Sequence, residues 1–312
     1  MHEVPRLRSL TDAHNARMYA IDPLIPTASV PEPEVDDDRL LVAPDAAAFM
    51  HRNQVDPSSM LACWGALDQH SLIEARVAGD DPIASMRGLL AAWKRELTGP
   101  TDTESSAAIT WPSRDAVMVR PFLDSGLVPR AIVAARPARR PAAPRQRGEV
   151  EIRRLDPDDI DAAVRLAAAI VRWDAQFGGV TDRACAADRI REDLLRIASE
   201  PDEAAWLGVV DGEAVGLVTL DLPAEPWIAP MVRADRVAYL GYLSVVAGRR
   251  GNGVGSALVA HAHNVVDAAG YDVTLLHHAV LNPLSGPFWN QWGYRPLWTS
   301  WSVAPYTDLR GQ

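Results

Sequence analysis

At 312 residues the chain exceeds the usual single domain, so two domains are expected. A hydrophobic content of 48% suffices for packed cores, and a net charge of −10 argues against a nucleic-acid surface or an anionic membrane as partner while leaving cationic amines open. The two cysteines, Cys63 and Cys185, fall in different halves without metal-ligand spacing, and no run approaches the roughly 18 apolar residues of a membrane span. The N-terminus carries charges and no apolar signal-peptide core, so the expected compartment is the cytoplasm, with idle reduced thiols and no metal.

In chain order, residues 1–48 give little beyond a proline- and acid-rich stretch and a strand at Arg39–Ala43. One short strand is expected in the segment 61–77. Asp81–Leu97 opens on Asp-Asp-Pro and spaces Ile83, Met86, Leu89, Leu90 and Trp93 as a helix does. A strand "AAITWP", a helix with Ser113 as N-cap, divided by Pro121 and closed by Gly126, and a strand "LVPRAIVAAR" complete the first half. Pro137–Gly148, rich in Pro and Arg, reads as a linker rather than a nucleic-acid arm.

The second half begins with a strand at Glu149–Leu155 and a helix opened by Asp156, Asp158 and Asp159 that runs to Trp173. A further helix opens at Thr181 and Arg183. Asp211-Gly212 joins two apolar runs as a hairpin. After a loop at Pro223–Arg236, a β-branched run leads into "LSVVAGRRGNGVGS", Leu243–Ser256, and then an apolar helix at Ala257–Ala269. A strand at Asp272–Ala279, a short helix at Phe288–Trp292 and a strand from Trp298 to Val303 end the chain.

The glycines at every second position, Gly251, Gly253 and Gly255, lie between strand and helix and follow Arg249 and Arg250. There, unpaired helix N–H groups and bare backbone suit a diphosphate. The spacing fails the dinucleotide pattern G-x-G-x-x-G, and the P-loop lysine is missing. It does match R-x-x-G-x-G through Arg250, Gly253 and Gly255. Downstream come Asn282, Phe288–Trp289 and Gly293-Tyr294-Arg295-Pro296.

Together these motifs resemble the GCN5-related N-acetyltransferase (GNAT) family over roughly residues 149–305. The resemblance implies an α/β fold with a mixed sheet whose central parallel strands splay apart, and acetyl-CoA as co-substrate. It places the cofactor against Leu243, Ser244, Val245, Arg249, Arg250, Gly251, Asn252, Gly253, Val254, Gly255 and Ser256, with Asn282 and Ser285 on the pantetheine arm. The endings Gly126-Leu127-Val128-Pro129 and Gly293-Tyr294-Arg295-Pro296 echo each other, each with an aromatic four residues before its Gly. Two copies of the fold in tandem are therefore expected: a degenerate one at 1–136 without the cofactor motif, a linker at 137–148, and a catalytic one at 149–312. In the first copy, the aspartates of "RVAGDD" would repel a diphosphate.

The implied reaction is attack of a primary amine, on a small molecule or peptide, on the acetyl thioester. Freeing the lone pair of an alkyl ammonium of pKa near 10.4 costs about 4–5 kcal/mol at pH 7, against about 2 for a thiolate whose conjugate acid has a pKa near 8.5. A base thus matters more than an acid. The candidates at the strand ends are His278, His277, Asp221 and Tyr242, with the Val245 backbone as the positional N–H donor. Trp173, Phe177 and Tyr239 are the expected acceptor contacts. Trp289 stands where the family often has a tyrosine acid, and an indole cannot supply that proton. This departure keeps an alternative open, a non-catalytic acyl-CoA sensor or interaction protein.

Overall fold

A computed structural model describes residues 3–97, 104–138, 150–199 and 204–310. The linker expected at 137–148 lies outside these residues from position 139 onward. The chain forms two compact units. The first contains residues 1–57, 65–132 and 296–312, and the second contains 58–64 and 133–295. The division does not follow chain position alone. The last strand groups with the first unit, and a seven-residue segment of the first half groups with the second.

Unit 1 opens on helix α1 (Glu3–Ile21), in a stretch whose sequence shows no helical apolar stripe. Its buried positions are Leu7, Thr11, His14 and Met18. The spacing is helical, but two of the four are polar, so the apolar stripe is broken. The sheet follows with β1 (Arg39–Ala43), β2 (Ala46–Gln54) and β3 (Asp68–Val77), each antiparallel to the next. Helix α2 (Pro82–Glu96) crosses to β4 (Ser105–Pro112), which is parallel to β3. A 3₁₀ turn at Ala116–Met118 and helix α3 (Val119–Asp124) lead to β5 (Val128–Pro137). Ser113 does not cap this helix; its hydroxyl is 2.8 Å from that of Thr299.

Unit 2 begins with β6 (Glu151–Arg154) and a 3₁₀ turn in which the Asp156 carboxylate accepts from the Asp158 N–H. Helices α4 (Ile160–Asp174) and α5 (Ala186–Ser199) follow. Then come β7 (Ala204–Val210), β8 (Glu213–Asp221) and β9 (Val237–Val245), antiparallel in succession, with β6 pairing β7. The expected hairpin turn is present, with Asp211 and Gly212 at φ of 54° and 79°. Helix α6 (Val254–Ala268) crosses to β10 (Val273–Ala279), parallel to β9. Helix α7 (Ser285–Gln291) precedes β11 (Arg295–Val303), which pairs antiparallel with β4 in unit 1, and helix α8 (Thr307–Arg310) closes the chain.

Both halves of the chain therefore run antiparallel strands, a helix, a parallel strand, a short helix and a further strand, in the same order. The echoed endings are alike in detail. Gly126 and Gly293 take φ of 86° and 83°. The N–H of Leu127 donates to Phe122 at 3.0 Å and that of Tyr294 to Trp289 at 3.1 Å. Each is a left-handed helix end that only glycine adopts without strain.

One core of unit 2 packs α4 and α5 on β7 and β8 through Ala163, Ala167, Val171, Ile190, Leu194, Leu207 and Leu217. The 58–64 segment joins it: the Cys63 carbonyl accepts from the Thr181 N–H at 2.9 Å, and the Ala62 carbonyl from Arg183 Nε at 2.5 Å. Cys63 and Cys185, far apart in sequence, are brought into side-chain contact as free thiols, and burial first, then Cys185, pushes the Cys63 pKa up.

Candidate active site

Strands β9 and β10 pair only as far as Leu240 and Leu276, although β9 continues to Val245 and β10 to Ala279. Past that point the two strands share no register, which leaves a gap between their carboxyl ends. A bulge sits at its root, where the two residues Gly241 and Tyr242 oppose the single Thr219 of β8. The Thr219 hydroxyl accepts from the Tyr242 N–H at 2.8 Å, and a Cβ on Gly241 would lie 2.7 Å from that hydroxyl. The Val246 N–H donates to Val215 on the β8 side. Antiparallel alternation then turns the N–H groups of Leu243 and Val245 away from β8, toward the gap.

The loop after β9 folds back on itself through Arg249 N–H to Val246 and Arg250 N–H to Ala247. Gly251 and Gly253 take φ of 80° and 90°, and Gly253 is the N-cap of α6 with no side chain to cap it. The first-turn N–H groups of Val254, Gly255 and Ser256 lack a helical partner by geometry. A Cβ on Gly255 would meet Val245 Cγ2 at 3.6 Å and the Phe288 ring at 3.7 Å, so glycine leaves room between helix and strand end. Val254 itself is buried, and only its backbone faces the turn. Two further glycines seat this helix, and the sequence reading did not single them out. A Cβ on Gly216 would press on Leu258 and Val254 at 2.8 and 2.9 Å, and one on Gly208 would crowd Val254 at 3.2 Å. Glycine in a strand interior at a close helix approach was the available signal.

Arg250 donates from Nε to the Val245 carbonyl at 3.2 Å and stacks over Trp173, 4.8 Å from the ring centroid. Arg249 pairs with Asp211 at 3.0 Å on the surface, an exposed ion pair of small strength. Asn282 donates to Asp174 at 3.1 Å and accepts from the Leu284 N–H, so it ties the end of α4 to the loop after β10. Burial raises the Asp174 pKa, partly offset by the Asn282 bond. Ser285 opens α7, its N–H donating to Asn282. Trp173 meets Phe177 edge-on at 5.9 Å.

The base candidates separate by environment. The Tyr239 hydroxyl lies 3.1 Å from Nδ1 of His277, and Asp221 is the cross-strand partner of Tyr239. Neighbouring atoms first, then the His278 charge, push the His277 pKa down, but the residue is exposed, so solvent moderates the shift. His278 is 3.1 Å from the Ala279 carbonyl, and burial lowers its pKa too. Tyr242 packs against the α4/α5 core, and burial raises the pKa of both Tyr242 and Tyr239. Two other residues are occupied elsewhere. Trp289 is buried against Phe288 and Tyr294, and the Tyr294 hydroxyl is 3.0 Å from Nε2 of His263. No group of metal-ligating side chains exists among the described residues, and no described helix is long and apolar enough to cross a membrane.

Residues 167–294 match the family model described as the Acetyltransferase (GNAT) family. A solved GCN5-related N-acetyltransferase from Sphaerobacter thermophilus is similar over 98% of this chain and 95% of its own, at 16% identity and a TM-score of 0.59. Another from Kribbella flavida is 16% identical over 86% of this chain and 89% of its own, at a TM-score of 0.46. One from Ralstonia eutropha JMP134 is 24% identical over 47% of this chain and 94% of its own, at 0.39. No curated protein matches. The Sphaerobacter likeness shows a common fold over nearly the whole chain, and the family match falls on the splayed strands and the glycine-led helix. Residues 167–294 thus form a stretch of the acetyltransferase (GNAT) type.

Proposed function

We propose that the chain is an acetyl-CoA-dependent N-acetyltransferase acting on a primary amine of a small molecule or peptide, with its site in unit 2 and a degenerate copy of the fold in the first half. The observation that carries this reading is the pairing of the splayed strands with an uncapped glycine at the start of α6. The fit to the coenzyme is physical. First-turn amides of Val254, Gly255 and Ser256 suit a diphosphate, and Arg249, held only by a surface ion pair, is near at hand to join them. Outward N–H groups of Leu243 and Val245 suit an extended amide arm lying along β9.

Acetyl-CoA supplies an acetyl group whose carbon–sulfur bond breaks as the amine nitrogen bonds the carbonyl carbon, one proton leaving the nitrogen and one reaching the thiolate. The Leu243 and Val245 amides aim at the place where carbonyl charge grows. His277, neutral at pH 7, shares a hydrogen bond with the Tyr239 hydroxyl through Nδ1, and Asp221 across the strand is the carboxylate toward which the amine's proton leaves. Trp289 lends no proton, so the thiolate takes its own from water.

Thiol release from acetyl-CoA over an amine panel tests the reading, with turnover expected for at least one primary amine. The buried Trp289 favours one second reading, an acyl-CoA-binding sensor. Tight coenzyme binding with no thiol release from any amine would select it.

A further inference from the structure

Three aromatic rings, those of Trp227, Tyr239 and His277, meet at the root of the splay. Trp227, on the loop between β8 and β9, stacks on His277 at 5.7 Å and 28° and meets Tyr239 edge-on at 5.4 Å. Tyr239 and His277 are themselves 5.8 Å apart at 65°, closing a three-sided corner. Trp227 is nonetheless 60% exposed, a large indole surface held in place and left open. The Tyr239 hydroxyl is engaged with His277, so the corner presents mainly ring surface.

We infer that this corner is the acceptor subsite and that it takes an amine carried on an aromatic ring. The inference rests on the acetyltransferase reading of unit 2. A planar ring finds offset or edge-on partners in Trp227, Tyr239 and His277, each such contact adding about 0.5–1.5 kcal/mol beyond area burial. Tyr239 is the third residue before Tyr242 at the bulge, so a ring against it places a short amine-bearing tail toward the gap lined by Leu243 and Val245. A polyamine or lysine side chain offers no ring for these contacts.

The test uses the full chain and acetyl-CoA, following thiol release with 2-phenylethylamine and tryptamine against spermidine and Nα-acetyl-lysine. The aromatic amines should show kcat/KM about tenfold or more above the aliphatic ones. Trp227→Ala should raise KM for the aromatic amines about tenfold, with kcat little changed and calorimetric affinity for acetyl-CoA intact, while Trp227→Phe should recover most of the loss. Preference for spermidine or the lysine derivative, or a Trp227→Ala enzyme with unchanged KM for aromatic amines, overturns the inference and leaves acetyl transfer standing. A Trp227→Ala chain that no longer binds acetyl-CoA is judged by Trp227→Phe, whose aromatic KM must then match the wild type. Failure of the wild-type chain to bind acetyl-CoA, or to release thiol with any amine, removes the acetyltransferase reading and this inference with it.

Discussion

Helices α2 and α6 hold the same place in the two units, each crossing between parallel strands, yet their first turns end differently. In unit 1 the Asp81 carboxylate accepts from the Ala84 N–H at 3.0 Å, and its carbonyl accepts from Ser85. That helix start is closed by its own anion. In unit 2 the N-cap is Gly253, at a positive φ and without a side chain, and the following turn is left to whatever anion approaches. One residue at the N-cap thus separates a sealed helix end from the open turn we propose as a phosphate cradle, on backbones of the same order.

The comparison is broken most directly by giving α6 the cap that α2 has. Gly253→Asp places a carboxylate in the proposed cradle, so acetyl-CoA affinity should fall at least about a hundredfold, roughly 2.8 kcal/mol at about 1.4 per tenfold. Calorimetry checks this, with circular dichroism confirming the fold; unchanged affinity would remove α6 from the site. Gly216→Ala comes next. Its Cβ would press on Val254 and Leu258, lifting α6 from the sheet at a cost of about 1–3 kcal/mol. Thermal melts should show the loss, and an unshifted Tm would mean that α6 is not seated on that glycine.

A pH effect sharpens the comparison by touching both units alike. Burial lowers the pKa of His14 in unit 1 to about 4 and of His263 in unit 2 to about 3, against 6.5 for the free side chain. The folded chain therefore binds fewer protons than the unfolded one below pH 6.5. Their contribution is whole above that pH and is lost as pH falls toward 4, by up to about 1.4 kcal/mol per pH unit for each. Denaturant midpoints at pH 7 and pH 5 should show it, and His263→Gln should flatten the unit 2 part. A midpoint that rises on acidification contradicts the burial of both rings. The smallest effect belongs to Asp81→Ala, which should cost about 1 kcal/mol as a lost cap and leave acetyl-CoA binding untouched.

The glycine turn before α6 was legible because its signal is local. Gly251, Gly253 and Gly255 sit within one turn, and the Gly126 and Gly293 endings repeat within seven residues each. The bulge at Gly241–Tyr242 was not legible, since it depends on Thr219 of a neighbouring strand. Helix α1 was missed because Thr11 and His14 interrupt its buried stripe. The contact between Cys63 and Cys185 and the corner at Trp227 depend on chain folding over long separations, and periodicity carries no trace of either. Grouping of β11 with the first unit was likewise hidden, because a strand's residues do not name its partner.

The stoichiometry of acetyl-CoA binding to the intact chain tests the contrast between the two helix starts most directly. Isothermal titration should give one site per chain, abolished by Gly253→Asp and indifferent to Asp81→Ala. Two equivalent sites, or one site that survives Gly253→Asp, would contradict it.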